Sequence, residues 1–519
     1  MNKFVFIAVG LAMACNSSQQ TVPEKESVPT SPSVGTAYAE TITSNELKEH
    51  LFVYASDEFE GRETGTRGGK KAAAYIKDEY VSLGIPAAKE NGDYFQEVPL
   101  VMDVMPTGEL QINGMDYELG GDVLAFDAAQ GYFNDIIYAG YGIDDGNYSD
   151  YENIDIEGKL VLVKSGEPVD AHGTFKVTGT RSNSKWSKVS DAYGMRSKAI
   201  QKRGGLGMLY FDDTDYTRYQ DYFNRKKRNS SKNLSLKTTD TPKFINVVLN
   251  KNVATALYPD ILNTASTKTI KTDLKLNLSP NSGVIKSNNV VAVIEGSTKP
   301  DEYVVISSHL DHIGITDKGE INNGADDDGS GTVALLEIAE AFKKAADEGN
   351  GPKRSIVLLH VTGEEKGLLG SRYYTDIDPL FPLENTVANL NIDMIGRIDP
   401  KREGNRNYIY LIGSDKLSTE LHNLSEAVNK KHMNIELDYK YNDGNDPNRF
   451  YYRSDHYNFA KNNIPIIFYF NGTHDDYHRP SDTPDKINYD LLENRTRLVF
   501  LTAWEIANRD QKIAVDKIE

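Results

Sequence analysis

From residue 289 onward, short apolar runs alternate with longer stretches in which apolar residues recur every three or four positions. The runs at 289–294, 303–307, 355–362, 388–392, 408–412 and 464–470 predict strands, and the 3.6-residue period predicts helices at 332–344, 417–429 and 491–507. Strands apolar on both faces, with helices between them, predict an α/β fold with a mostly parallel central sheet flanked by helices. Upstream, Leu47, Leu51, Val53 and Tyr54 mark one helix, 60–69 reads as a polar turn, and 72–83 reads as an amphipathic helix. Between 107 and 285 the texture is different. Strand-like runs at 136–143, 159–163 and 206–210, a helix at 195–203, and polar stretches at 173–188 and 225–232 that read as loops predict a separate β-rich unit.

The N-terminus breaks this pattern. Lys3 precedes an apolar run from Phe4 to Ala14 that has the length of a signal-peptide core and is too short to span a bilayer as a helix. Residues 1–14 are therefore expected to be a signal peptide. Cys15, the only cysteine, follows small residues at 12 and 14 and resembles the lipidated cysteine of bacterial lipoproteins, although Leu11 stands four residues before it where that family has Leu three before. The expectation is an exported, membrane-anchored lipoprotein of the periplasm or cell surface that touches the membrane only through Cys15; a plain secretory peptide is the alternative. Residues 15–40, rich in Ser, Thr, Pro and Gln, read as a flexible tether. The expected division is then 41–106 for the first part of a catalytic domain, 107–285 for an insert and 286–512 for the rest of that domain.

A length of 519 residues predicts two or three domains, and 39% hydrophobic with 26% charged residues is an ordinary globular balance. The net charge of −18 argues against nucleic acid as a partner, because phosphate binding needs a basic surface. A single cysteine excludes an intramolecular disulfide.

The chemistry lies where the apolar runs end. His309, Asp327, the pair Glu364-Glu365, Asp393 and His478 follow one another at gaps of tens of residues, too long for a local zinc knuckle and natural for ligands on successive loops. Taken singly, each has a structural explanation: a hydrogen-bonded histidine, an aspartate capping a helix, a solvated glutamate pair. Together, two imidazoles and three carboxylates can hold two zinc ions that share a carboxylate, leaving Glu364 free to move protons during hydrolysis of an amide. His360 reads as buried and neutral, and His456 as packed. His312 and His474 stand near the candidate ligands in sequence, but that set is already filled. No His-Glu-x-x-His helix, Gly-x-Ser-x-Gly elbow or zinc-finger cysteine pair is present.

Five segments resemble zinc metallopeptidase family twenty-eight, the bacterial leucyl aminopeptidase-like two-zinc enzymes. They are Ser308-His309-Leu310-Asp311, the run from Gly324 to Gly331, Gly363 to Ser371, Asn391 to Gly396, and Tyr477 to Thr483. The Tyr-Ala-Gly-Tyr-Gly-Ile, Gly-Lys-Leu-Val-Leu-Val and Gly-Gly-Leu-Gly pieces between 107 and 285 resemble an inserted protease-associated domain. The first resemblance implies two zinc ions per chain: Asp327 bridges them, His309 and Asp393 complete one site, and Glu365 and His478 complete the other. It further implies that Glu364 is the general base, that Asp311 orients the His309 ring, that the Asp327-Asp328 peptide is cis, and that Tyr477 stands where some members place a phenol donating to the oxyanion, an aromatic packing beside the site being the alternative. The implied function is an exported exopeptidase, an aminopeptidase removing N-terminal residues from peptides through metal-activated water. A carboxypeptidase or N-acyl amino acid hydrolase on the same site is the alternative, followed by a glutaminyl cyclase or a non-catalytic receptor-like binding protein.

Overall fold

The computed structural model of the chain describes residues 1, 34–102, 104–229, 233–237, 244–279 and 283–517. The expected signal peptide, Cys15 and most of the expected tether lie outside the described residues. The end of that tether range does not: Val34–Ala39 is a helix, with Tyr38 buried and its ring 5.7 Å from that of Trp504. Among the described residues, no helix is long and apolar enough to cross a membrane.

A nine-stranded sheet organises the larger unit. Its order is Leu234–Leu236, Phe95–Met102, Val284–Ile294, Arg354–Val361, Lys299–His309, Thr386–Ile392, Ile466–Phe470, Tyr408–Ile412 and Glu436–Asp438. The four strands from Arg354–Val361 to Ile466–Phe470 are mutually parallel, and the sheet turns antiparallel on both sides of them. The sheet is thus parallel at its centre and mixed overall. Both faces are covered, which accounts for the unbroken apolar runs. Val304, Ile306, Ile356 and Leu358 pack against Gly331–Asp347 and Tyr489–Asn508, the long helices of one face, while Val305, Val357 and Leu359 point into the core of the other.

The second sheet has eight strands from the 107–279 region, with helices Val189–Lys202, Tyr216–Asn229 and Lys251–Leu257 between them. Two expectations need correction. The basic stretch 225–232, read as a loop, is helical to Asn229. Tyr216, Tyr219 and Phe223 form its only apolar stripe, and that stripe packs into the core of this unit, so the surrounding charges concealed a helix. Likewise the 60–69 turn ends early, because Thr66 caps a helix beginning at Arg67, accepting from Gly69 N. Leu234–Leu236, within the range expected to be an insert, pairs with Phe95–Met102 and joins the large sheet. The two units therefore share a sheet edge.

Candidate metal centre

Parallel strands bring their carboxyl ends to one edge of a sheet, where loops can converge. His309 is the last residue of Lys299–His309, Glu364 and Glu365 lie just beyond Arg354–Val361, and Asp393 directly follows Thr386–Ile392. These three strands are neighbours. Asp327 reaches the same edge from the turn that enters the helix Gly331–Asp347. That turn depends on Gly324, which has φ +53°; a Cβ there would lie 2.2 Å from Asp327 O and 2.5 Å from His312 Cδ2. The Asp327-Asp328 peptide is cis.

The five candidate ligands converge around Asp327. His309 Nε2 lies 3.2 Å from Asp327 Oδ1 and 3.6 Å from Asp393 Oδ1. On the other side, His478 Nε2 lies 3.1 Å from Asp327 Oδ2 and 3.2 Å from Glu365 Oε2. Each imidazole thus faces a different oxygen of one carboxylate. Glu364 lines the adjoining cleft with Asp327, Asp393, Phe450, Arg453 and Tyr477. The Tyr477 ring stacks on His478 at 3.9 Å, and its hydroxyl is 3.3 Å from Arg453 Nη2. Asp311 differs from expectation in detail. Its carboxylate is 3.9 Å from His309 Nδ1, and its main-chain carbonyl, at 3.0 Å, is what meets that nitrogen. The carboxylate instead accepts from Thr64 Oγ1 at 2.6 Å and Glu364 N at 3.2 Å, tying the glutamate loop to the N-terminal segment.

A layer of buried polar groups holds these side chains in place. Asp328 accepts from His309 N, Gly331 N and Met394 N at 2.9–3.1 Å, fastening two strand ends to the helix start. Asp326 accepts from Gly396 N at 2.7 Å and contacts His474 Nε2 at 3.1 Å, while Asp482 accepts from the amides of Asp326 and Asp327. Ser454 Oγ donates to Asp393 Oδ2 at 2.6 Å and accepts from Asn391 Nδ2 at 2.9 Å. Sequence reasoning passed over Ser454; the signal available was its place beside Asp455 and His456. His456 itself is buried, with Nε2 2.8 Å from Tyr451 O and its ring stacked on Phe468. His360 is likewise buried, between Tyr80 and Ser308.

The donor set fits a divalent cation. His309 Nε2 and Asp327 Oδ2 are buried and have no hydrogen-bond partner among the described residues, a costly state unless something else satisfies them. The electrostatics point the same way. Burial opposes a charge on His309, yet Asp393, Glu364 and Asp327 outweigh it and hold the imidazole well above its usual range. Burial also opposes protonation of His478, but Asp327 and Glu365 push it up to about 10. Burial disfavours ionised Asp327, and the imidazoles of His309 and His478 overcome it and keep the carboxyl well below the usual carboxylate range. Burial raises Glu364 well above that range. A pocket that draws this much positive charge onto its histidines suits a cation, and imidazole with carboxylate donors suits zinc.

Residues 289–503 match the profile of Peptidase family M28. That matched stretch, about two fifths of the chain, is similar to this peptidase family. The M28 segment spans the central strands and the candidate ligands from His309 to His478. The chain is similar to a protein named probable glutamate carboxypeptidase LAMP1 of Arabidopsis thaliana, 36% identical over 110 residues, which is 21% of this chain and 15% of that protein. It is also similar to a protein named aminopeptidase NAALADL1 of Mus musculus, 36% identical over 109 residues, which is 21% of this chain and 14% of that one. The matched region is thus about a seventh of the length of these relatives. Among solved structures, an aminopeptidase from Aneurinibacillus sp. strain AM-1 aligns over 94% of this chain and 99% of its own, with 19% identity and a TM-score of 0.46. A zinc aminopeptidase from Bacillus subtilis aligns over 91% and 97%, with 19% identity and a TM-score of 0.45.

Proposed function

We propose that the chain is an exported two-zinc exopeptidase that removes N-terminal residues from peptides. The observation that carries this reading is the pair of imidazoles on opposite oxygens of Asp327, 3.2 and 3.1 Å away, beside a cleft that contains a spare glutamate. His309, Asp327 and Asp393 would hold one ion, and Asp327, Glu365 and His478 the other. When bound, the metals supply Lewis acidity toward a carbonyl oxygen and make water a better nucleophile at neutral pH.

The chain's own groups do the rest. Glu364, half-buried and raised by burial, takes a proton from the attacking water and returns it to the leaving amine. Tyr477, whose hydroxyl burial keeps protonated, is the candidate donor to the carbonyl oxygen as charge develops there. Asp311 and Ser454 hold the Glu364 loop and Asp393 in place. We take the β-rich unit as a protease-associated module and Cys15 as the site of a lipid anchor. The latter reading predicts that Cys15→Ser moves the protein from the membrane to the soluble fraction, whereas a wild type already soluble and without acyl mass would overturn it.

The test of the main reading is turnover of matched peptides with free and blocked N-termini, with zinc present. Stepwise release of N-terminal residues from the free-amine peptides alone is expected; release from the C-terminus, or from blocked peptides alone, would replace this reading. The carboxypeptidase reading is kept because two observations favour it: the name carried by the plant relative, and Arg453 in the cleft beside Tyr477, placed to meet a free carboxylate.

A further inference from the structure

His312 was set aside in the sequence because the ligand set looked complete without it, yet its ring is fully buried against the candidate metal centre. Its Nδ1 lies 2.8 Å from Glu365 Oε1 and 3.8 Å from Asp327 Oδ2. Resting on the two-metal reading above, we propose that His312 is a positioning residue: it directs an Nδ1 proton at Oε1 of Glu365 and so presents Oε2 to the second metal.

The distances separate this role from that of a ligand. Donors placed tetrahedrally about 2.0–2.2 Å from one zinc stand roughly 3.3 Å from one another. His478 Nε2 meets that spacing twice, at 3.1 and 3.2 Å. His312 meets it for neither neighbour. Its 2.8 Å to Oε1 is a hydrogen-bond distance, and its 3.8 Å to Asp327 Oδ2 is longer than the tetrahedral spacing. The two histidines also divide the carboxylate, with His312 on Oε1 and His478 on Oε2. His312 Nδ1 and Glu365 Oε1 are both buried and have no hydrogen-bond partner among the described residues, so their 2.8 Å approach leaves each open to the other.

The surroundings of the ring are equally specific. Gly324 leaves the space that His312 fills, because a Cβ there would strike the imidazole at 2.5 Å. Buried Arg62 donates to the carbonyls of Asn323 and Gly324 at 2.6 and 2.8 Å, bracing that loop against the ring, and the Arg62 carbonyl accepts from His312 N at 3.3 Å. The His478 ring stands edge-on to it at 5.7 Å. A partner of this kind, touching a ligand instead of the metal, typically changes metal affinity or activity by about 10–100-fold when removed.

The test compares two near-isosteric amides in the full chain. His312→Asn places an N–H close to the position of Nδ1, and His312→Gln places one close to that of Nε2. Zinc affinity is read by competition with a chelator, kcat and KM are read with zinc in excess, and visible absorption is read after cobalt substitution. For His312→Gln the expected result is about a 10–100-fold loss of affinity for one of two ions, with kcat recovering as zinc is raised, an unaltered cobalt spectrum once saturated, and His312→Asn close to wild type. Equal zinc affinity in both variants and wild type would overturn the assignment of His312 while leaving the two-metal reading standing. So would a cobalt spectrum changed in both, which would make His312 a ligand. A wild type that binds no zinc would instead overturn the underlying reading.

Discussion

Asp393 is engaged at both oxygens, Oδ2 by Ser454 Oγ and Oδ1 toward His309, so the ligand role proposed for it depends on a serine that carries no metal-site signature. Ser454→Ala would strand Asp393 Oδ2 and Asn391 Nδ2 in a buried place, costing about 1–3 kcal/mol of stability and about 10–100-fold in zinc affinity or turnover; denaturant unfolding and zinc titration check both. The glutamate pair divides its duties differently. Glu364→Gln is expected to keep both zinc ions and lose roughly 10²–10⁴-fold in kcat, while Glu365→Gln loses metal and regains part of its activity in excess zinc. Turnover and zinc content measured side by side decide it, and the opposite pattern reverses the roles. The candidate donors were legible because each follows an apolar run or a glycine turn. Ser454 and His312 were not, since what they do follows from contacts between loops far apart in sequence, and neither residue type at its position announces such a contact.

The helix Gly331–Asp347 shows how an element carries the site. Its first residue sits against Asp328, and a Cβ at Gly331 would lie 2.4 Å from Asp328 Oδ1, the oxygen that accepts from Met394 N. Gly331→Ala is therefore expected to lose about 1–3 kcal/mol of stability and to weaken zinc binding together with it, as read by thermal unfolding and metal titration. Further along, Glu337 is buried, with Oε1 lacking a hydrogen-bond partner and His50 Nε2 3.7 Å away. Burial, helped by Glu46 and Glu340, pushes it from 4.5 to about 8. The folded chain therefore keeps a proton that the unfolded chain releases, and stability falls as pH rises from about 4.5 to about 8. Glu337→Gln should match wild type in acid and exceed it increasingly across that window, by roughly 4 kcal/mol at its upper end; equal pH–stability curves would contradict this. The long helices and central strands were legible from their periods. The antiparallel flanks were not, because an apolar run carries no sign of strand direction, and Tyr216–Asn229 was hidden by its charges.

At the scale of the whole molecule, the large sheet receives Leu234–Leu236 from within the 107–285 range, a join that no composition shift reveals. The carboxyl edge of its parallel strands gathers Asp327, Asp328, Glu364, Glu365 and Asp393. These carboxylates repel one another unless a cation sits among them, so on the two-metal reading metal binding is expected to couple to folding. Removing zinc with a chelator should lower the Tm, and adding it back should restore it; a ligand at a thousand times its Kd contributes about 4 kcal/mol. The central claim, two metals sharing Asp327, is tested most directly by anomalous diffraction at the zinc edge from crystals of the zinc-loaded protein. Two peaks about 3.5–4 Å apart are predicted, one beside His309 and Asp393, the other beside Glu365 and His478, with Asp327 between them. A single peak that Asp327 does not touch, or none in protein saturated with zinc, would contradict it.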